Sequence, residues 1–130
     1  MERIPILKMG DSLLVSIQVD MHDRLAVQLQ DELTAKISET GARGVLIDIT
    51  GVPTVDTLTA QHLLKTVTAA RLMGADCIIS GIRPQIAQTI VHLGVNLNDI
   101  ITKATLADAF LVALERTGQS LAKGQARSNG

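Results

Sequence analysis

The sequence predicts an α/β fold in which a mixed, mostly parallel sheet is packed by about four helices. Short apolar runs typical of strands alternate with longer segments whose apolar residues recur every three or four positions, as on one face of a helix. At 130 residues the chain has the length of a single domain. Strands and helices that alternate in this way form sheets with right-handed crossovers. The predicted order is β-β-α-β-α-β-α-β-α.

A β-hairpin and a helix come first. Residues 4–8 and 12–19 are rich in Ile, Leu and Val, and the Gly10-Asp11 pair between them favours a tight turn. The helix that follows ends at Gly41. It begins at Asp20 or His22, and its apolar face is predicted to consist of Leu25, Leu29, Leu33 and Ile37.

The middle of the chain is predicted to form a buried strand and a second helix. Residues 44–49 are apolar except for Asp48, which is typical of a strand covered on both faces. The helix that follows is closed by Gly74. Its predicted apolar residues are Leu58, Leu63, Leu64, Val67 and Leu72.

Two further strand and helix pairs complete the predicted domain, residues 1–117. A strand at 76–82 leads to a helix with Pro84 in its first position, and a short strand at about 99–101 leads to a helix from Thr105. The third helix is expected to end at Gly94. The apolar residues predicted for the last two helices are Ile86, Ile90 and Leu93, then Phe110, Leu111 and Leu114. Residues 118–130, rich in Gly, Ser and Gln, are predicted to be a disordered tail.

Composition excludes several functional classes. The net charge is −1, so no basic surface for nucleic acid or an anionic membrane is expected. Phe110 is the one aromatic residue, which argues against base stacking and predicts an aliphatic core. The single cysteine, Cys77, lies in an apolar run and is interpreted as a core residue in a reducing compartment. No apolar stretch approaches membrane-spanning length, so we expect a cytoplasmic protein.

The most unusual stretch is "DITGVPTVDTLTAQHLL", residues 48–64, where a strand gives way to a helix. Asp56 is well placed as an N-cap that accepts hydrogen bonds from amides of the first turn. Thr57 would then be the first helical residue, near the positive end of the helix dipole, with Thr59 in the same turn. On local physics alone, this junction is a helix-capping device.

Motifs of nucleotide, metal and nucleophile chemistry are absent from the sequence. There is no GxxxxGK[ST] loop and no GxGxxG fingerprint, and His22, His62 and His92 lack metal-ligand spacing. A catalytic triad can be imagined from Thr57, His62 and Asp56. However, adjacent residues at a helix start point in different directions, and no oxyanion-hole glycine pair accompanies them. We therefore expect no metal, no cofactor and no enzymatic activity.

The segments "VLIDITGVPTVDTLTAQHLL" and "RLMGADCIISGIRPQIAQTIVHLGVNLNDIITKATLADA" resemble the STAS domain of the bacterial stressosome, whose members are anti-sigma-factor antagonists of the RsbS and RsbR type. The resemblance runs from about Ile4 to Arg116. In that family, the hydroxyl residue that follows the Asp at this helix start is phosphorylated by a switch kinase. The resemblance thus implies that Thr57 is the acceptor. Asp56, Asp23 and Thr59 are the candidates for partner binding or helix capping. For Asp23 two alternatives stay open: a fixed negative charge beside the acceptor, where paralogues become phosphorylated, or an ordinary acidic residue that the helix dipole favours.

Within the family, the opening "RIPILKMGDSLLVSIQ" resembles the short scaffold RsbS. RsbR-type proteins have a separate N-terminal sensor domain, for which we expect no room here. They also have a second phosphorylated threonine, at the position that Asp23 takes in this sequence. Two features resemble RsbR instead: Thr57, where RsbS usually has Ser, and the stretches "ITGVP" and "GIRPQIAQTIV".

The resemblance implies a stressosome scaffold and anti-sigma-factor antagonist. Unphosphorylated, it would hold an RsbT-type serine/threonine switch kinase, and phosphorylation of Thr57 would release that kinase. The implied partners are this kinase, sensor-bearing RsbR-type paralogues and further copies of the chain in a large complex. Two alternatives stay open: a stand-alone antagonist that binds an anti-sigma kinase directly, and a STAS module that binds a small ligand.

Overall fold

The computed structural model describes residues 4–18, 20–95 and 100–117. In these ranges the chain forms one sheet of five strands in the order β1-β2-β3-β4-β5, with four helices. β1 pairs antiparallel with β2, and the remaining neighbours pair in parallel. The predicted fold class and element order are confirmed. The elements are β1 Ile6–Met9, β2 Ser12–Ser16, α1 Asp23–Thr40, β3 Gly44–Asp48, α2 Thr57–Leu72, β4 Asp76–Ser80, α3 Pro84–His92, β5 Ile101–Lys103 and α4 Leu106–Thr117.

The main core lies between one face of the sheet and the helices α1, α2 and α3. All five residues of β3 are buried, as predicted for a strand covered on both faces. The four residues predicted for the apolar face of α1 are buried, and Cys77 packs in the same cluster. Burial raises the pKa of the Cys77 thiol to about 12, which keeps it protonated and unreactive.

The opposite face of the sheet is covered by α4, and here the predicted apolar face is wrong at Leu111. We expected Phe110, Leu111 and Leu114 to face the core, but Leu111 is 63% exposed. The fully buried apolar residues of this helix are Ala109 and Ala113, which pack with Leu46 and Ile78 of the sheet. Phe110 packs at the edge of this second cluster and is only partly buried. Alanines at the contact leave room for the helix to lie close to the strands.

Three smaller expectations are also corrected. Leu58 and Leu72, predicted for the apolar face of α2, are exposed, while the other three residues of that prediction are buried. The fifth strand is Ile101–Lys103, further along the chain than predicted, and Asp99 lies outside the described residues. α2 and α3 are capped by Met73 and Leu93, each just before the glycine expected to close the helix.

The predicted tail, residues 118–130, also lies outside the described residues. Within the ranges that the structure does describe, no helix is long and apolar enough to cross a membrane. The same ranges contain no group of three or more His, Cys, Asp or Glu side chains that could hold a metal ion.

Candidate functional site

The candidate site lies at the carboxyl end of the parallel strands, where β3 ends at Asp48 and β4 at Ser80. The Asp48 carboxylate is almost fully buried, with 5% exposure. Its Oδ1 accepts one hydrogen bond from Ser80 Oγ at 2.7 Å and another from Thr50 Oγ1 at 2.8 Å. A buried carboxylate needs such donors, because an unpaired charge in the interior is costly. The network joins two strand ends to the start of the loop that leads to α2.

The loop is held from a second side by Arg83, at the N-cap of α3. Its guanidinium donates to the carbonyl oxygen of Thr50, from Nε at 3.2 Å and from Nη2 at 3.0 Å. Gly81 lies between Ser80 and Arg83 in the chain, with a φ of +78°. A side chain there would collide with the backbone of Thr50, so only glycine allows this close approach. Val52 and Val55 are buried and anchor the rest of the loop.

Asp56 caps α2, as the sequence predicts. Its carboxylate accepts a hydrogen bond of 2.7 Å from the backbone N–H of Thr59. This bond, with a smaller effect of the nearby Thr59 side chain, lowers the pKa of the Asp56 carboxyl. The Thr59 side chain itself is fully buried, and its hydroxyl has no hydrogen-bond partner among the described residues. Thr59 thus takes part in the cap of α2 through its backbone amide.

Thr57 is the first residue of α2 and is exposed. An open groove of about 490 Å³ lies next to it, between the loop that precedes α1 and the loop that precedes α2. The groove is lined by Asp20, Met21, Pro53, Thr54, Val55 and Asp56. A hydroxyl at this position can be reached by another protein, and the amides of the helix end favour negative charge beside it.

α1 begins at the same end of the sheet, and His22 is its N-cap. The Nδ1 atom of His22 accepts from the backbone N–H of Leu25 at 3.2 Å. Asp23 follows as the first helical residue, and its Oδ1 lies 2.7 Å from Nε2 of His62 on α2. The sequence predicts an acidic residue in this first turn, but it gives no sign of the contact with His62.

The site places helix-capping and acidic side chains close together, but its residues do not form a catalytic triad. Asp56 is directed to the amide of Thr59, and His62 is directed to Asp23 rather than to Asp56 or Thr57. Sequence reasoning missed the hydroxyls of Thr50 and Ser80. The signal available was a polar residue at or just beyond the end of each of two apolar strands, since the ends of neighbouring parallel strands lie side by side.

The family model of the STAS domain matches residues 4–109. Over 96 residues the chain is 46% identical to RsbT co-antagonist protein RsbRA of Bacillus subtilis, a match that covers 74% of this chain and 35% of that protein. It is also 46% identical over 65 residues to RsbT co-antagonist protein RsbRD of the same organism, covering 50% of this chain and 23% of that one. The chain thus spans about a third or less of these curated relatives.

Two solved structures are similar over most of the chain. An RsbS protein of Moorella thermoacetica superimposes with a TM-score of 0.79 at 28% identity, covering 89% of this chain and 98% of that one. A chain from a solved structure of the stressosome superimposes with a TM-score of 0.73 at 26% identity, covering 87% of this chain and 98% of that one. The two curated relatives are named as co-antagonists of RsbT. From the family match and these similarities together, we conclude that the chain belongs to the STAS domain family.

Proposed function

We propose that this protein is a cytoplasmic stressosome scaffold and anti-sigma-factor antagonist that holds an RsbT-type serine/threonine switch kinase. Phosphorylation of Thr57 by that kinase releases it. The observation that supports this proposal best is the exposure of Thr57 at the first position of α2, on a helix end fixed by the Asp56 cap. The Thr57 hydroxyl is accessible, and the Asp56 cap fixes the start of the helix that carries it.

A phosphate on Thr57 would act at the surface rather than on the fold. It adds a charge of about −1.5 to −2 at pH 7. The amides of the first turn attract this charge, whereas the adjacent Asp56 carboxylate repels it, so the two effects on stability oppose each other. A protein docked over the helix end would have to desolvate a dianion, which is costly without cations to pair with it. Phosphorylation of Thr57 would thus weaken binding of the kinase to this surface and release it.

Assembly with paralogues is the second half of the proposal. It is supported by the similarity to a stressosome chain and by relatives named as RsbT co-antagonists. Light scattering of the purified protein, alone and mixed with a sensor-bearing RsbR-type paralogue, tests it. We expect a large complex in the mixture. A monomer or dimer under both conditions would contradict the scaffold role and favour a stand-alone antagonist.

An RsbS-type chain is proposed because Asp23 stands where a second phosphorylated threonine is expected in RsbR-type proteins. Sequence identity does not favour this assignment, since it is 46% to the RsbRA segment and 28% to the RsbS structure. Phosphopeptide mapping tests both Thr57 as the acceptor and the expectation that the start of α1, with Asp23, takes no second phosphate. The protein is incubated with kinase and ATP, and the modified residues are identified by mass spectrometry.

We expect a single phosphate, on Thr57. Thr54 is the informative competitor, because it is also exposed in the preceding loop, whereas Thr59 is fully buried. Phosphate on Thr54 and none on Thr57 would overturn the site assignment. The variant Thr57→Ala is the control and should bind the kinase without accepting phosphate.

A further inference from the structure

The contact between Asp23 and His62 joins the start of α1 to α2. The two atoms, Asp23 Oδ1 and His62 Nε2, are 2.7 Å apart. The imidazole is largely shielded, with 21% of the side chain exposed, while the carboxylate side chain is 48% exposed. One end of this pair is therefore packed into the helix interface, and the other reaches the surface.

Capping does not require Asp23. The N-cap of α1 is His22, whose imidazole already accepts from the first turn. An acidic side chain at the first helical position could simply point into solvent, where the helix dipole would favour it. Instead the carboxylate of Asp23 turns towards the neighbouring helix, and α2 presents a histidine to it in its second turn, directly after the turn that begins with Thr57.

We propose that His62 is a positioning residue of the surface around Thr57: it fixes the Asp23 carboxylate and the first turn of α1 against α2. A partner that docks over the two helix ends then meets a charge and a hydroxyl at a constant separation. Without His62 the carboxylate would sample other rotamers, and ordering it on binding would weaken the complex. This inference rests on the proposed kinase-holding function and adds a residue that the family resemblance does not assign.

Coupling between the two residues distinguishes this role from two independent contributions. Four proteins are compared: wild type, Asp23→Asn, His62→Ala and the double variant. If Asp23 acts through His62, each single variant should weaken kinase binding by roughly fivefold, the size expected for a half-exposed polar contact, and the double variant should lose about the same. Independent effects would multiply to roughly twenty-fivefold.

Further variants separate positioning from folding and from net charge. His62→Gln keeps an N–H donor at similar reach and should restore most of the affinity. His92→Ala, at an exposed histidine of α3, and Asp31→Asn, at an exposed aspartate of α1, are the matched controls and should bind like wild type. For phosphorylation of Thr57, KM should rise while kcat stays constant, because neither Asp23 nor His62 touches the reacting atoms. Thermal unfolding of each variant checks that it is folded.

The outcomes are distinct. Losses that multiply, wild-type affinity for His62→Ala, or a failure of His62→Gln to restore binding would overturn the positioning role while leaving the proposed function intact. If wild type neither binds the kinase nor is phosphorylated on Thr57, the proposed function is wrong and this inference falls with it.

Discussion

The first turns of α1 and α2 are capped in the same way but carry different residues at the first helical position. Both helices begin at the carboxyl end of the sheet, and in both an N-cap side chain accepts from a backbone N–H of the first turn. The capping side chain is that of His22 in α1, whose Nδ1 lies 3.2 Å from the amide nitrogen, and that of Asp56 in α2, whose Oδ1 lies 2.7 Å from it. The next residue is Asp23 in α1 and Thr57 in α2. One helix end thus has a carboxyl side chain at this position, and the other has a hydroxyl.

The difference shows which helix end can change state. The Asp23 side chain has no hydroxyl to modify, and its Oδ1 lies against Nε2 of His62. The Thr57 hydroxyl is exposed and gains charge only by modification. Because the helix dipole favours an anion at either end, phosphorylation would make the start of α2 resemble the start of α1 without unfolding it.

The largest expected effect comes from giving α2 the acidic first residue that α1 has. Thr57→Asp should weaken kinase binding by about a hundredfold, which corresponds to about 3 kcal/mol of desolvation and repulsion at the docked surface. The unfolding midpoint should stay close to that of wild type. Calorimetric titration with the kinase measures the affinity. Thr57→Ser, which keeps the hydroxyl, is the control, and equal affinity of Thr57→Asp and wild type would contradict the release mechanism.

A second substitution acts on the loop between β3 and α2, where Gly81 approaches Thr50 closely. Gly81→Ala would place a side chain against the backbone of Thr50 at a φ of +78°, and we expect a loss of about 2 kcal/mol in the free energy of unfolding. Gly74→Ala is the matched control, because Gly74 also has a positive φ, of +92°, but open space around it. Thermal or urea unfolding compares them. Equal destabilisation would show that the backbone angle, not the contact with Thr50, is what requires glycine.

The hydrogen bonds of Asp48 allow a finer test of the same loop. Ser80 and Ser16 lie opposite Asp48 in the two neighbouring strands, but only the hydroxyl of Ser80 bonds its carboxylate. Ser80→Ala should cost about 1 to 2 kcal/mol, since a buried acceptor loses a donor. Ser16→Ala should cost less than about 0.5 kcal/mol. Chemical denaturation gives both values, and a Ser80→Ala protein as stable as Ser16→Ala would show that the network does not support the loop.

The elements that could be predicted are those whose signals are local. Asp56 was identifiable as an N-cap because an acidic residue stands at the end of a turn and before a helical pattern. Leu111 was wrongly assigned to the buried face of α4 because the prediction favoured large apolar residues, whereas Ala109 and Ala113 make the close contact with the sheet. Contacts such as Asp23 with His62 join distant parts of the chain, and no local spacing encodes them.

The smallest expected effect concerns acid and the cap of α2. The pKa of the Asp56 carboxyl is lowered in the folded protein, chiefly by the backbone N–H of Thr59. In the unfolded chain this carboxyl has the ordinary pKa of about 3.9. Folding therefore favours the ionised form, and the stabilisation is fully present above the unfolded pKa and is lost as the pH falls through the lower, folded pKa.

Because Asp56 is exposed at the surface, we expect this pH effect to be slight, and a comparison of variants is needed to measure it. The difference in unfolding midpoint between wild type and Asp56→Ala should be constant at neutral pH and should narrow below about pH 4. Asp56→Asn keeps a side-chain acceptor but no charge, so its difference from Asp56→Ala should not change over the same range. Circular dichroism melts of the three proteins at several pH values measure both differences. A gap between wild type and Asp56→Ala that stays constant into acid would mean that the charge of Asp56 contributes nothing to the cap and that the cap of α2 works through hydrogen-bond geometry alone.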